Sequence, residues 1–152
     1  MTSEGSVEAN HLTGSNGNDV ISASSGNDSV TSYAGNDLIN AGGDDDRIFA
    51  GSVADTIWGA ADHDTLWGET GDDVLGGGTG NEPMNGSDQI GDFTAGSDRL
   101  HFTPNTGGGP VQFSDLRLSD TAEGLQITYD GGRLLLVGLD MGDLSAGDMV
   151  FG

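Results

Sequence analysis

Aliphatic residues recur along the first half of the chain with a period of nine: Ile21, Val30, Ile39, Ile48, Ile57, Leu66, Leu75 and Met84. Two residues before each stands an acid: Asp19, Asp28, Asp37, Asp46, Asp55, Asp64, Asp73 and Glu82. An amphipathic helix needs an apolar residue every three or four positions, and a half-buried strand needs one at every second. One aliphatic in nine fits neither over any length. It predicts instead a three-residue strand with one buried side chain, followed by a turn. Framed from Gly14, the units read GSNGNDVIS, ASSGNDSVT, SYAGNDLIN, AGGDDDRIF, AGSVADTIW, GAADHDTLW, GETGDDVLG and GGTGNEPMN, with no insertion or deletion. Their first six positions are mostly Gly, Ser, Ala, Asn and Asp, which reach positive φ or hydrogen-bond their own backbone and so favour turns.

One buried side chain per unit closes no core by itself, so neighbouring units must stack. Turn, strand, turn, strand makes a flattened coil in which units n and n+2 lie above one another, with their sixth-position acids in a row along one edge. The expected fold is all-β: a parallel β-roll, a right-handed β-solenoid of nonapeptide repeats, with a C-terminal β-rich cap. The expected organisation is a flexible N-terminal segment over 1–12, the roll over 13–93, and a cap over 94–152.

Charge sharpens this picture. With 25 acids against 4 Lys and Arg, the net charge of −21 opposes compaction unless cations neutralise it, and makes nucleic acid and anionic membrane poor partners. Composition by itself would favour disorder, but a disordered linker has no reason to carry an aliphatic residue in phase with every acid. Cysteine is absent, which excludes disulfides, thiolate zinc sites and a cysteine nucleophile. No apolar stretch approaches membrane-spanning length, and Met1 to Asn10 lacks the basic start and apolar run of a secretory signal peptide. The chain is therefore expected to be cytosolic, a piece of something larger, or exported on another signal. Carboxylates stacked in a row repel one another unless a hard cation sits between them, and Ca²⁺ takes six to eight oxygens, backbone carbonyls included.

The eight units resemble the GGxGxDxUx nonapeptide of the RTX (repeats-in-toxin) family, a pattern known to bind calcium. The stretch from Gly86 to Leu100, GSDQIGDFTAGSDRL, is similar to the DxIxDFxxGxDxL segment that commonly ends such arrays. The resemblance implies ions between turns n and n+2, at most six, each held by the carbonyls of positions two and four of one turn, those of one and three of the other, and both sixth-position carboxylates. Carried over by position, the first set is Ser15, Gly17 and Asp19 with Ser32, Ala34 and Asp37. The second is Ser24, Gly26 and Asp28 with Ala41, Gly43 and Asp46, and the third Tyr33, Gly35 and Asp37 with Ala50, Ser52 and Asp55. The fourth is Gly42, Asp44 and Asp46 with Gly59, Ala61 and Asp64, and the fifth Gly51, Val53 and Asp55 with Gly68, Thr70 and Asp73. The sixth is Ala60, Asp62 and Asp64 with Gly77, Thr79 and Glu82. Val53 is the weak member, because a β-branched residue resists positive φ.

Beyond Leu100 the period is lost. A glycine-rich loop, Asn105 to Pro110, leads to three strand-like runs, Leu116 to Leu118, Leu125 to Tyr129 and Arg133 to Val137, the last two joined by a turn at Asp130-Gly131-Gly132. The closing Asp148-Met149-Val150-Phe151 is either an ordinary terminal strand or, as the resemblance implies, part of an uncleaved signal for the type I secretion machinery. His11, His63 and His101 have no metal-ligand spacing, and no nucleophile elbow or P-loop is present, so no catalytic residue is expected. Two functions compete. The first is a calcium-binding module of a secreted, extracellular protein that folds on Ca²⁺ and stabilises or exports its parent, to which an N-terminal catalytic domain could belong. The second is a carbohydrate-contacting accessory module like the R-module of an alginate epimerase. For the latter, Phe49, Trp58 and Trp67 at ninth positions could offer a polysaccharide-stacking surface, although packing against a partner or the cap accounts for them as well.

Overall fold

The computed structural model describes residues 1–76, 87–102, 116–129 and 132–151. Among these residues the regular secondary structure is almost all β-strand, arranged as two sheets that face each other across one core. The first sheet is built from β1 (Thr2–Glu4), β3 (Val20–Ser22), β5 (Leu38–Gly42), β7 (Thr56–Ala60), β9 (Val74–Gly76), β11 (Arg99–Phe102) and β15 (Met149–Phe151), in that order. The second runs β2 (His11–Thr13), β4 (Ser29–Thr31), β6 (Arg47–Ser52), β8 (Thr65–Thr70), β10 (Ser87–Ile90), β14 (Gly132–Val137), β13 (Gly124–Tyr129) and β12 (Arg117–Asp120).

Successive strands alternate between the sheets, which gives the parallel β-roll expected from the repeat. In the first sheet Ile21 pairs with Ile39, Ile39 with Ile57, Ile57 with Leu75 and Leu75 with Leu100. In the second, Leu12 pairs with Val30, Val30 with Ile48, Ile48 with Leu66 and Leu66 with Ile90. Each column sends one aliphatic per coil into the core, and Ile21, Val30, Ile39, Ile48 and Ile57 are all at most 1% exposed. The first-position residues Ala23, Ala41 and Ala50 are buried as well, so each unit contributes a second small contact that the period-nine aliphatic pattern does not reveal.

Residues 2–4 and 11–13, all but Thr13 within the segment 1–12 that the sequence reading set apart from the roll, form β1 and β2 and pair with β3 and β4. Leu12 stands nine residues before Ile21, at the eighth position of a unit Gly5 to Thr13 that carries Asn10 where the later units carry an acid, and it begins the column of Val30. Reading the repeat by its acids hides this unit. At the other end the columns continue through a break in the spacing, because β10 and β11 stack on β8 and β9 although the period no longer holds. Gly77, Thr79 and Glu82, the Asn105 to Pro110 loop and Asp130-Gly131 lie outside the described residues.

The cap is different in kind. β12, β13 and β14 are antiparallel to one another, and β14 joins the roll by pairing in parallel with β10. Leu125, Ile127, Leu134 and Leu136 alternate inward from this sheet and extend the core. β15 closes the first sheet by pairing Met149 with Leu100.

Candidate metal centre

The turns between strands bring the sixth-position acids into two rows, one along each edge of the roll. Asp19, Asp37, Asp55 and Asp73 occupy one edge, and Asp28, Asp46 and Asp64 the other; all are at most 3% exposed. A single hydrogen-bond pattern sets their spacing. The backbone N–H of each sixth residue donates to the Oδ1 of the acid one coil on: Asp19 to Asp37 at 2.8 Å, Asp28 to Asp46 at 2.7 Å and Asp37 to Asp55 at 2.8 Å. Asp46 donates likewise to Asp64 at 2.9 Å and Asp55 to Asp73 at 2.8 Å. One carboxylate oxygen of each acid is thus spent on the neighbouring coil.

The other oxygen is not. Oδ2 of Asp28, Asp37, Asp46, Asp55 and Asp73 is buried without a hydrogen-bond partner. A buried carboxylate oxygen left unpaired costs free energy on the order of 1–3 kcal/mol or more, and native interiors seldom tolerate a series of them. Burial accordingly pushes Asp46 and Asp55 up to about 7 and Asp73 to about 6, with charge from Asp28, Asp44 and Asp45 adding to the first and from Asp37 and Asp73 to the second. Uptake of a proton or a metal cation at the turns relieves both the unpaired oxygens and the repulsion along the rows.

Backbone conformation points the same way. In the six turns from the second unit to the seventh, positions two and four are both left-handed: Ser24 and Gly26, Tyr33 and Gly35, Gly42 and Asp44, Gly51 and Val53, Ala60 and Asp62, Glu69 and Gly71. Seven of these are not glycine, and each such residue costs about 1 kcal/mol or more. Val53, at φ 82°, is the most strained by type, as the sequence suggested. The alternation turns successive peptide units in opposite senses and stacks position two of one turn on position three of the next coil. Gly43 N–H donates to Ser24 O at 2.9 Å, Ser52 to Tyr33 at 2.8 Å and Ala61 to Gly42 at 2.9 Å. Each of those carbonyls keeps a second lone pair. The structure therefore brings together the residues of the second, third and fourth sets. In the fifth set Gly51 and Ser52 pair with Glu69 and Thr70, and Val53 N–H donates to Thr70 O at 2.8 Å.

The first set is brought together less closely. Ala34 N–H reaches Ser15 O at 3.4 Å, but neither Ser15 nor Gly17 is left-handed. The Ser15 N–H instead donates to Asp19 Oδ2 at 2.6 Å, and the terminal ammonium of Met1 contacts Asp19 Oδ1 and holds its carboxyl below the usual range. Of the sixth set, Ala60, Asp62 and Asp64 are described and their partners are not.

Two row members escaped the sequence reading. Asp98 accepts from the N–H of Asp73 at 3.0 Å, as the next acid of its edge would, and Asn10 donates its N–H to Asp28 at 2.6 Å. Phe93-Thr94-Ala95-Gly96-Ser97-Asp98 has a glycine fourth and an acid sixth, and Gly96 is left-handed, so framing this segment by itself would have found it. Among the described residues no three His, Cys, Asp or Glu side chains converge on one point. A cation here would rest on two carboxylates and the surrounding carbonyls, an all-oxygen donor set suited to Ca²⁺ and unsuited to zinc or copper. On the outer face of the second sheet, Phe49 and Trp67 stack with ring centres 4.5 Å apart and planes 3° from parallel.

The sequence profile of the RTX calcium-binding nonapeptide repeat (4 copies) matches residues 4–39, 25–57 and 49–81, together just over half of the chain. No curated protein matches the chain. Among solved structures, the chain is similar to the AlgE6R3 subunit of the Azotobacter vinelandii mannuronan C5-epimerase, with 25% identity and a TM-score of 0.50 over 96% of this chain and 80% of that one. The extracellular lipase LipA of Serratia marcescens also matches, at 16% identity and a TM-score of 0.38, covering 100% of this chain and 40% of that one.

Proposed function

Because the chain belongs to the family of RTX calcium-binding nonapeptide repeats, we propose that it is the calcium-binding roll of a secreted protein, folding on extracellular Ca²⁺ and thereby stabilising or exporting its parent. The observation that carries this reading is the series of buried carboxylate oxygens without a partner along the turns. Bound between coils, Ca²⁺ supplies the positive charge those oxygens lack. The residues of the chain do the rest. Left-handed residues at positions two and four aim carbonyls into the turn, the Oδ1 ladder fixes the spacing of the coils, and the aliphatic columns hold the two edges apart. The core gives little independent stability, since each unit buries one aliphatic side chain worth about 2 kcal/mol against the ordering of nine glycine-rich residues.

Folding coupled to binding suits export. A chain carrying a net charge of −21 stays expanded where Ca²⁺ is scarce, as a secretion channel requires, and compacts where Ca²⁺ is plentiful. The test is circular dichroism in chelator and in millimolar Ca²⁺. A cooperative gain of β signal with Ca²⁺, poorly reproduced by Mg²⁺ with its tighter octahedral demand, is expected. An unchanged spectrum contradicts the proposal.

A second reading, an accessory module that contacts carbohydrate, draws on the Phe49–Trp67 stack and the likeness to an epimerase subunit. Titration of tryptophan fluorescence with neutral and uronic oligosaccharides separates the two, since a pure calcium module gives no saturable change.

A further inference from the structure

The turns of the array come in two states. In the open state positions two and four are left-handed; this state holds from the second unit to the seventh, and Oδ2 of Asp28, Asp37, Asp46, Asp55 and Asp73 is left without a partner. In the other state the N–H of position two turns inward and binds the sixth-position side chain of its own turn. Ser15 N–H donates to Asp19 Oδ2 at 2.6 Å, with the Ser15 hydroxyl 3.0 Å from the same oxygen. Thr94 N–H donates to Asp98 Oδ2 at 2.7 Å, and Ser6 N–H to Asn10 Oδ1 at 2.6 Å. In all three, position two is not left-handed, although Gly17 and Gly96 show that these turns do not lack glycine.

We propose that the turns ending at Asn10, Asp19 and Asp98 are closed terminators of the ion rows, in which the chain's own amide takes the place a cation holds in the open turns. The inference rests on the calcium-binding reading above and narrows it. A carboxylate oxygen already bonded at 2.6–2.7 Å to an inward-turned amide places an N–H dipole where a cation would have to sit, and the carbonyl of a position two that is not left-handed is not rotated toward the gap. The gaps bounded by open turns on both sides are those of Asp28 with Asp46, Asp46 with Asp64, Asp37 with Asp55 and Asp55 with Asp73. Asn10 makes the case chemically. An amide side chain serves in a closed turn because that turn needs an acceptor and no charge, and it stands at the place where every described open turn has aspartate.

The test uses the full chain and counts bound calcium by equilibrium dialysis for Asp19→Asn, Asp98→Asn, Asp37→Asn and Asp55→Asn. Asp19→Asn and Asp98→Asn keep the parent's ion count, with midpoints within about threefold, whereas Asp37→Asn and Asp55→Asn each lose at least one ion. Loss of an ion in Asp19→Asn or Asp98→Asn overturns the proposal while leaving the calcium-binding reading standing; a parent chain that binds no calcium overturns both. An anomalous difference map of a calcium-loaded crystal gives the same answer without any variant. Calcium peaks in the open gaps and none within about 3 Å of the Asp19 or Asp98 carboxylates is the expected result, and a peak at either refutes it.

Discussion

The roll and the cap solve the same burial problem with opposite chemistry. In the roll, each of the seven units from Gly14 to Gly76 buries one aliphatic and one acid, and the acids stack in rows with like charges one coil apart. In the cap, β13 and β14 bury Leu125, Ile127, Leu134 and Leu136 and put no carboxylate inside. Their pairing is antiparallel and local, whereas every roll strand pairs with one 18 or more residues away. On the calcium-binding reading proposed above, the cap's stability is carried by its side chains, while the roll's depends on what neutralises its turns.

Substitution in each region breaks the comparison differently. Leu136→Ala in the cap removes a fully buried side chain and is expected to cost about 2–5 kcal/mol with or without calcium, measured by denaturant unfolding. Asp46→Ala in the roll is expected to remove up to two bound ions, because Asp46 faces a gap on either side, whereas Asp19→Ala leaves the count unchanged; calorimetric stoichiometry decides. Equal losses at Asp46 and Asp19 would contradict the stacked rows.

Acidity gives a smaller effect of known sign. Asp46 and Asp55 are raised to about 7 and Asp73 to about 6 by burial, above the ordinary 3.8, so the folded metal-free turns bind protons that the unfolded chain releases. The metal-free roll therefore gains stability as the pH falls from about 7 toward 4, and calcium, which competes with those protons, binds more weakly over the same window. Lowering the pH from 7.5 to 5.5 is expected to weaken calcium binding at the interior sites by about thirtyfold for each carboxylate held near 7, one decade of competition per pH unit below that value. The antiparallel sheet of β12, β13 and β14, which buries no acid, is expected to unfold at the same denaturant concentration at both values.

Val53→Gly gives the smallest expected change. Glycine relieves the left-handed strain of Val53 and costs some chain entropy, so calcium affinity at the gap of Asp55 with Asp73 is expected to rise by roughly three- to tenfold, read as the loss of a weak phase in the titration.

The sequence made the roll legible because its signal is geometric: one aliphatic in phase with one acid specifies strand, turn, register and row together. It was less legible where the phase depends on one residue type. Asn10 hid the first coil because the repeat was framed by its acids, and Asp98 was hidden because the chain between Leu75 and Leu100 departs from the period, although the two pair directly. The closed turns were not legible at all. Ser15 and Ser24 both stand at position two, yet one turns its N–H inward and the other is left-handed, a difference set by tertiary surroundings and not by residue type.

The most direct measurement of the central claim is residue-resolved hydrogen exchange on the full chain, with calcium and in chelator. The account predicts that the amides of Asp28, Asp37, Asp46 and Asp55, which bond the next acid in the row, are protected with calcium and exchange freely without it, while amides of β13 and β14 keep measurable protection in both. Row amides equally protected in chelator would contradict the claim that the roll is held by what binds its turns.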